Sequence, residues 1–128
     1  MALVRNKDTG PELVVRRILH HLGFRYRLHR AGLPGRPDIV FPSRRKAIFV
    51  HGCFWHRHRG CCRTPKTRLD FWVPKLVKNR RRDLRNQREL RKLGWDFLVV
   101  WECELRDTDV VALRLIEFLD EASMAPTN

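Results

Sequence analysis

Two short apolar runs separated by one long basic stretch limit what this chain can fold into. Residues 47–50 (AIFV) read as a buried strand and residues 95–101 (WDFLVVW) as a second strand. Between them, residues from about 70 to 93 read as one long basic helix, with Pro74 acceptable only near its first turn and Gly94 as its stop. Upstream, Thr9 reads as an N-cap, Pro11 as an early helical residue, and Glu12 completes a capping-box pattern. Leu13, Ile18, Leu19 and Leu22 then recur at helical spacing until Gly23. Residues 24–28 alternate as a half-exposed strand, residues 31–37 form a Gly- and Pro-rich turn, and Pro37 opens a short strand over residues 38–41. Residues 107–121 close the chain as an amphipathic helix, with a frayed tail from about residue 123. The order helix, three strands, loop, helix, strand, helix predicts an α/β fold: a mixed central sheet flanked by helices. A length of 128 residues suits a single domain over residues 1–128.

Charge narrows the partner. The chain carries 27 Lys+Arg against 14 Asp+Glu, a formal net charge of +13, which favours a polyanion. No apolar run approaches the roughly 20 residues of a membrane span, so no membrane role is expected. The N-terminal stretch MALVRNKDTG shows no apolar signal core, and a cytoplasmic location is expected. The long helix holds nine Lys/Arg between Lys75 and Lys92 against only Asp83 and Glu89, too lopsided for self-pairing. Part of that face is therefore expected to contact phosphates.

The string HGCFWHRHRGCC at residues 51–62 is too irregular and polar for either regular element. It holds Cys53, Cys61 and Cys62 together with His51, His56 and His58, thiol and imidazole donors of the kind zinc prefers. Cys53, His58 and one of Cys61 and Cys62 can supply three ligands, with Cys103 returning from a distant segment as the fourth. Asp38, at the start of a strand after a Gly-Arg-Pro turn, is costly to bury unless it is solvated, paired or metal-bound. Adjacent strands would bring Asp38, His51 and His56 to one sheet end, a set suited to metal-assisted phosphodiester hydrolysis.

LPGRPDIVF, IFVHGCFWHRH, PKTRLDFW, KNRRRD and GWDFLVVWECEL together resemble the very short patch repair endonucleases, the Vsr family, from about residue 8 to about residue 106. The resemblance implies a restriction-endonuclease-like fold with a structural zinc site. It also implies an enzyme that nicks one strand 5′ to the thymine of a T:G mismatch left by deamination of 5-methylcytosine. The implied substrate is double-stranded DNA, the implied state a monomer, and the implied functional partner a cytosine-5 DNA methyltransferase. By the same resemblance, Asp38 binds magnesium with help from the Val50 backbone carbonyl. His56 acts as general base or orients the attacking water, and His51 assists at the scissile phosphate, held by Asp83. Glu12 matches the family's acidic residue in the first helix, although its capping role explains it equally well. Asp83 can equally be a salt-bridge partner among its arginines.

The implied zinc ligands are Cys53, His58, Cys103 and a cysteine following His58, with Cys61 preferred over the adjacent Cys62. Phe54, Trp55 and Trp72 are implied wedges beside the mismatched pair, where unstacking is least costly. Met1 lines up with a family methionine that wedges from the other groove. Trp95 and Trp101 are expected in the core, and His20, His21 and His29 on the surface. Two other readings remain: a restriction-type endonuclease acting on matched duplex, and a non-catalytic zinc-stabilised nucleic-acid-binding module.

Overall fold

A computed structural model describes residues 9–28, 30, 32–52 and 69–120. Helix α1 covers Gly10–His21, and Thr9 caps it by accepting the Glu12 backbone N–H on its hydroxyl at 3.3 Å. Gly23, at φ +87°, follows as the left-handed residue that ends the helix. The return half of the expected capping box is replaced: the Glu12 carboxylate runs along the helix to the Arg16 guanidinium, one turn on. The buried stripe is Glu12, Val15 and Leu19, whereas Leu13 is 38% exposed and lies off it.

The strands are β1 (Arg27–Leu28), β2 (Ile39–Phe41), β3 (Lys46–His51) and β4 (Asp96–Trp101). They lie in the order β1-β2-β3-β4, with β1, β2 and β3 antiparallel in sequence and β3 parallel to β4. The mixed sheet expected from the element order is thus present. Strand β1 is two residues rather than the five of 24–28: only Arg27 and Leu28 pair with β2, while Phe24 and Tyr26 pack against the core from the chain leading into it. Phe24 meets Phe41 edge to face, with ring centroids 6.4 Å apart.

Between β3 and β4 the chain passes through helix α2, Leu69–Lys92. Pro74 is its sixth residue, beyond the first turn, so the ladder loses one N–H donor inside the helix. Helix α3 is Thr108–Leu119, capped by Asp107, whose carboxylate accepts the Val110 N–H at 3.3 Å. Arg44 and Lys46 hold the other end of α3 by donating to the carbonyls of Leu119 and Phe118.

Side chains alternate across β3 and sort the core into two layers. Ile48 packs with Val15 and Leu19 of α1, Val100, and Val111, Leu115 and Leu119 of α3. Ala47 and Phe49 pack on the opposite face with Val40 and Leu90 of α2. The sheet is therefore covered on both faces, which explains why its strands read as continuous apolar runs. Among the described residues, no helix is long and apolar enough to cross a membrane.

Candidate active site

The C-terminal edge of β3 gathers several of the expected site residues, and the alternation of that strand explains how. His51 is its last residue and points to the same face as Ala47 and Phe49. It is 6% exposed. Its ring sits 5.7 Å from the Phe49 ring and 5.2 Å from Trp101, the latter edge to face. Trp101 is also the register partner of His51 across the parallel pair. An imidazole set between two aromatic rings has little freedom to turn.

Asp38 reaches this edge through a local irregularity. The register pairs Ile39 with Ile48, yet the Asp38 backbone N–H also donates to the Ile48 carbonyl at 3.1 Å. Asp38 and Ile39 therefore face one residue of β3, the one-residue excess of a bulge, a device that redirects a side chain. Strand β2 accordingly starts at Ile39 rather than at residue 38. The Asp38 carboxylate Oδ2 turns onto β3 and accepts the Val50 backbone N–H at 2.7 Å. The N–H and C=O of one strand residue face the same edge, so the Val50 carbonyl lies on the side where the carboxylate sits.

Asp83 is half-buried on α2, seven residues from both Leu76 and Leu90, each fully buried. Seven residues are nearly two turns, so Asp83 shares their sheet-facing stripe. Because α2 connects two parallel strands, it runs antiparallel to β3. Asp83 therefore lies about 10 Å from Leu90 toward the edge where β3 ends, on the face that His51 occupies. Glu12, 1% exposed, lies on α1 and thus on the opposite face of the sheet.

Cys103 is half-buried in a 3₁₀ turn, Glu102–Arg106, that follows β4 directly, rather than in a strand. It stands two residues after Trp101, the register partner of His51. Among the described residues, no three His, Cys, Asp or Glu side chains cluster closely enough to hold a metal. Cys53, Phe54, Trp55, His56, His58, Cys61, Cys62, His29 and Met1 lie outside the described residues. Trp72 falls within α2. His20 and His21 are exposed, as expected.

The outer face of α2 is strongly basic. Lys78, Arg81, Arg85, Arg88 and Lys92 recur every three or four residues on the side away from Leu76 and Leu90, and all are exposed. Lys92 pairs with Glu89 at 3.3 Å, and Arg91 lies near Asp96 at 3.9 Å. Among the described residues, Lys78, Arg81, Arg85 and Arg88 make no ion pair.

Four residues of this region were not foreseen. Trp101 does not simply fill the core; its ring supports His51. Arg16 neutralises Glu12, a pairing visible in the i, i+4 spacing. Glu104 and Arg114 form an ion pair beside Cys103, and their ten-residue separation leaves no sequence signal.

A family model described as DNA mismatch endonuclease Vsr matches residues 1–63. A type II nicking enzyme of Xanthomonas oryzae pv. oryzae is 55% identical over 122 residues, covering 94% of this chain and 89% of that protein. The DNA mismatch endonuclease Vsr of Escherichia coli (strain K12) is 44% identical over 107 residues, covering 83% of this chain and 69% of that protein. Among solved structures, the catalytic domain of a homing endonuclease superposes with a TM-score of 0.60 at 22% identity, covering 87% of this chain and 94% of that domain. That likeness concerns the fold alone, an arrangement shared with the catalytic domain of a homing endonuclease.

Proposed function

We propose that this chain, which belongs to the Vsr family of DNA mismatch endonucleases, nicks one strand of duplex DNA 5′ to the thymine of a T:G mismatch and so starts very short patch repair. The observation that carries the reading is the Asp38 carboxylate, turned by a bulge onto the Val50 N–H at the edge where buried His51 ends β3. Relatives named as nicking enzymes support a cut in one strand rather than two.

The donor set at this edge suits magnesium. Asp38 and the Val50 carbonyl are hard oxygen donors on one side of β3, the chemistry that this ion takes. Bound there, magnesium would neutralise charge on the scissile phosphate and lower the pKa of a bound water. His51, fixed by Phe49 and Trp101, approaches the phosphate, and Asp83 on the facing stripe of α2 orients it. His56 takes the proton of the attacking water or aligns that water. Glu12 contributes from the far side of the sheet, with its charge balanced by Arg16.

Zinc is held by Cys53, His58, Cys61 and Cys103. Cys103 supports this set because it leaves β4 beside the point where β3 runs into the Cys/His stretch. A closed thiolate and imidazole site is structural and pins that stretch to the sheet edge. Phe54, Trp55 and Trp72 wedge beside the mismatched pair, and the outer face of α2 engages flanking phosphates. The enzyme works as a monomer in the cytoplasm. Its functional partnership with a cytosine-5 DNA methyltransferase follows from the substrate, since T:G pairs arise where 5-methylcytosine deaminates.

A nicking assay with magnesium on matched and T:G duplexes tests the reading. The expected result is nicking of the T:G strand alone, abolished in Asp38→Asn, which still binds the duplex. Equal cutting of matched DNA would indicate a restriction-type enzyme, and binding without any nicking a non-catalytic module.

A further inference from the structure

The turn that carries Cys103 is fastened by an ion pair whose members have no part in the roles assigned above. The Glu104 carboxylate accepts the Trp101 backbone N–H on Oε1 at 2.8 Å and pairs through Oε2 with the Arg114 guanidinium. Arg114 also donates through Nη2 to the Val99 carbonyl at 3.4 Å. One side chain of α3 therefore reaches both the last turn of chain after β4 and the body of β4 itself. The two side chains are 35% and 26% exposed, partly shielded from water. An isolated surface pair contributes little, but this one joins three segments and satisfies two backbone groups at the end of a strand.

Two groups of the proposed nuclease ride on this latch. Trp101, whose amide Glu104 holds, supports the His51 ring edge to face at 5.2 Å. Cys103 lies between Trp101 and Glu104 in the same turn. We propose that Glu104 and Arg114 are positioning residues: their pair sets the turn after β4 so that one side steadies His51 through Trp101 and the other presents Cys103 to zinc. The proposal rests on the assignment of His51 to nicking and of Cys103 to zinc. Neither Glu104 nor Arg114 touches the DNA or a metal in it. Outer supports of this kind change activity or metal affinity by about 10- to 100-fold when removed.

The test compares Arg114→Met, Glu104→Gln and Arg114→Lys with Arg44→Met, which removes the donor to the Leu119 carbonyl at the other end of α3. Each is assayed for thermal midpoint, for kcat and KM on a T:G duplex, and for zinc lost to a chromophoric chelator. Arg114→Met and Glu104→Gln should lose turnover about tenfold or more at nearly unchanged KM, and should release zinc faster than wild type. Arg114→Lys, which keeps the charge, should recover part of both. Arg44→Met should lower the midpoint while leaving kcat and zinc release near wild type. Wild-type turnover and zinc retention in Arg114→Met would overturn the proposal, as would matching losses in Arg44→Met. If wild-type protein nicks no T:G duplex, the functional reading fails by itself and zinc release alone decides the latch. If wild-type protein holds no zinc, the kcat comparison decides it.

Discussion

Replacing Arg16 by Met isolates the energetic cost of the carboxylate buried in α1. Glu12 is 1% exposed and Arg16 14%, and their side chains pair across one turn. Methionine matches the length of the arginine stem and keeps helix propensity, so the change removes chiefly the guanidinium. The carboxylate then stays in a nearly dry site without the Arg16 guanidinium. Breaking a buried pair from one side costs about 3–5 kcal/mol, of which the lost charge-assisted hydrogen bond supplies about 1.5–3 kcal/mol. With a urea m-value of about 2 kcal/mol per M, the unfolding midpoint should fall by about 2 M. Replacing both residues, Glu12→Leu with Arg16→Leu, removes the charge along with its partner and should recover most of that loss, because apolar substitutes for a buried pair are often neutral. Equilibrium urea unfolding followed by circular dichroism measures both variants. A single Arg16→Met variant within about 1 kcal/mol of wild type would refute the reasoning. So would a double variant no more stable than the single.

Three further outcomes are expected. Metal analysis should return about one zinc per chain, and Cys103→Ala should lose it together with much of the stability; a fully folded, metal-free wild type would contradict the zinc assignment. Replacing Arg81, Arg85 and Arg88 by Gln should reduce the slope of log affinity against log salt by about 2.7, three phosphate contacts at about 0.9 each, and an unchanged slope would remove the outer face of α2 from the interface. Gly35→Ala should destabilise by about 2–4 kcal/mol in urea unfolding, because the left-handed backbone costs about 1–2 kcal/mol and the new methyl crowds the interior. At Gly35, φ is +78° and a Cβ would lie 3.1 Å from Asn86 Cβ and 3.1 Å from a ring carbon of Phe49. A loss below about 0.5 kcal/mol would show that the turn relaxes freely.

Signals carried by neighbouring residues translated well into structure. The apolar runs became β3 and β4, Thr9 caps α1, and α2 spans the basic stretch almost as read. Each of these depends on a few adjacent side chains or on one period. The departures depend on contacts between distant residues. Phe24 and Tyr26 alternate and pack against the core as strand residues should, yet ladder partners on β2 exist only for Arg27 and Leu28, and β1 is two residues long. Glu12 has the spacing of a capping box, yet Arg16 offers its carboxylate a full charge. The site divides the same way. Asp38 and His51 could be placed near one sheet end from strand order alone. The bulge that turns Asp38 onto Val50 and the Trp101 ring against His51 needed the register of β2 on β3 and of β3 on β4.

The parallel pairing of β3 with β4 also sets an order on synthesis. Every paired position in it, from Lys46 with Asp96 to His51 with Trp101, joins residues about fifty apart. Closing such a segment costs roughly 3–4 kcal/mol of chain entropy, whereas β2 and β3 are separated by one short turn. At about 5–20 residues per second, a ribosome needs about 3–10 s to make the intervening chain. Through that interval the nascent hairpin of β2 and β3 presents Phe49 and Val50 along an open strand edge, the kind of edge that recruits strangers. The strand that ends at the proposed cutting site is thus the last to be sealed, and the chain is most exposed to misassembly just before that edge of the sheet is complete.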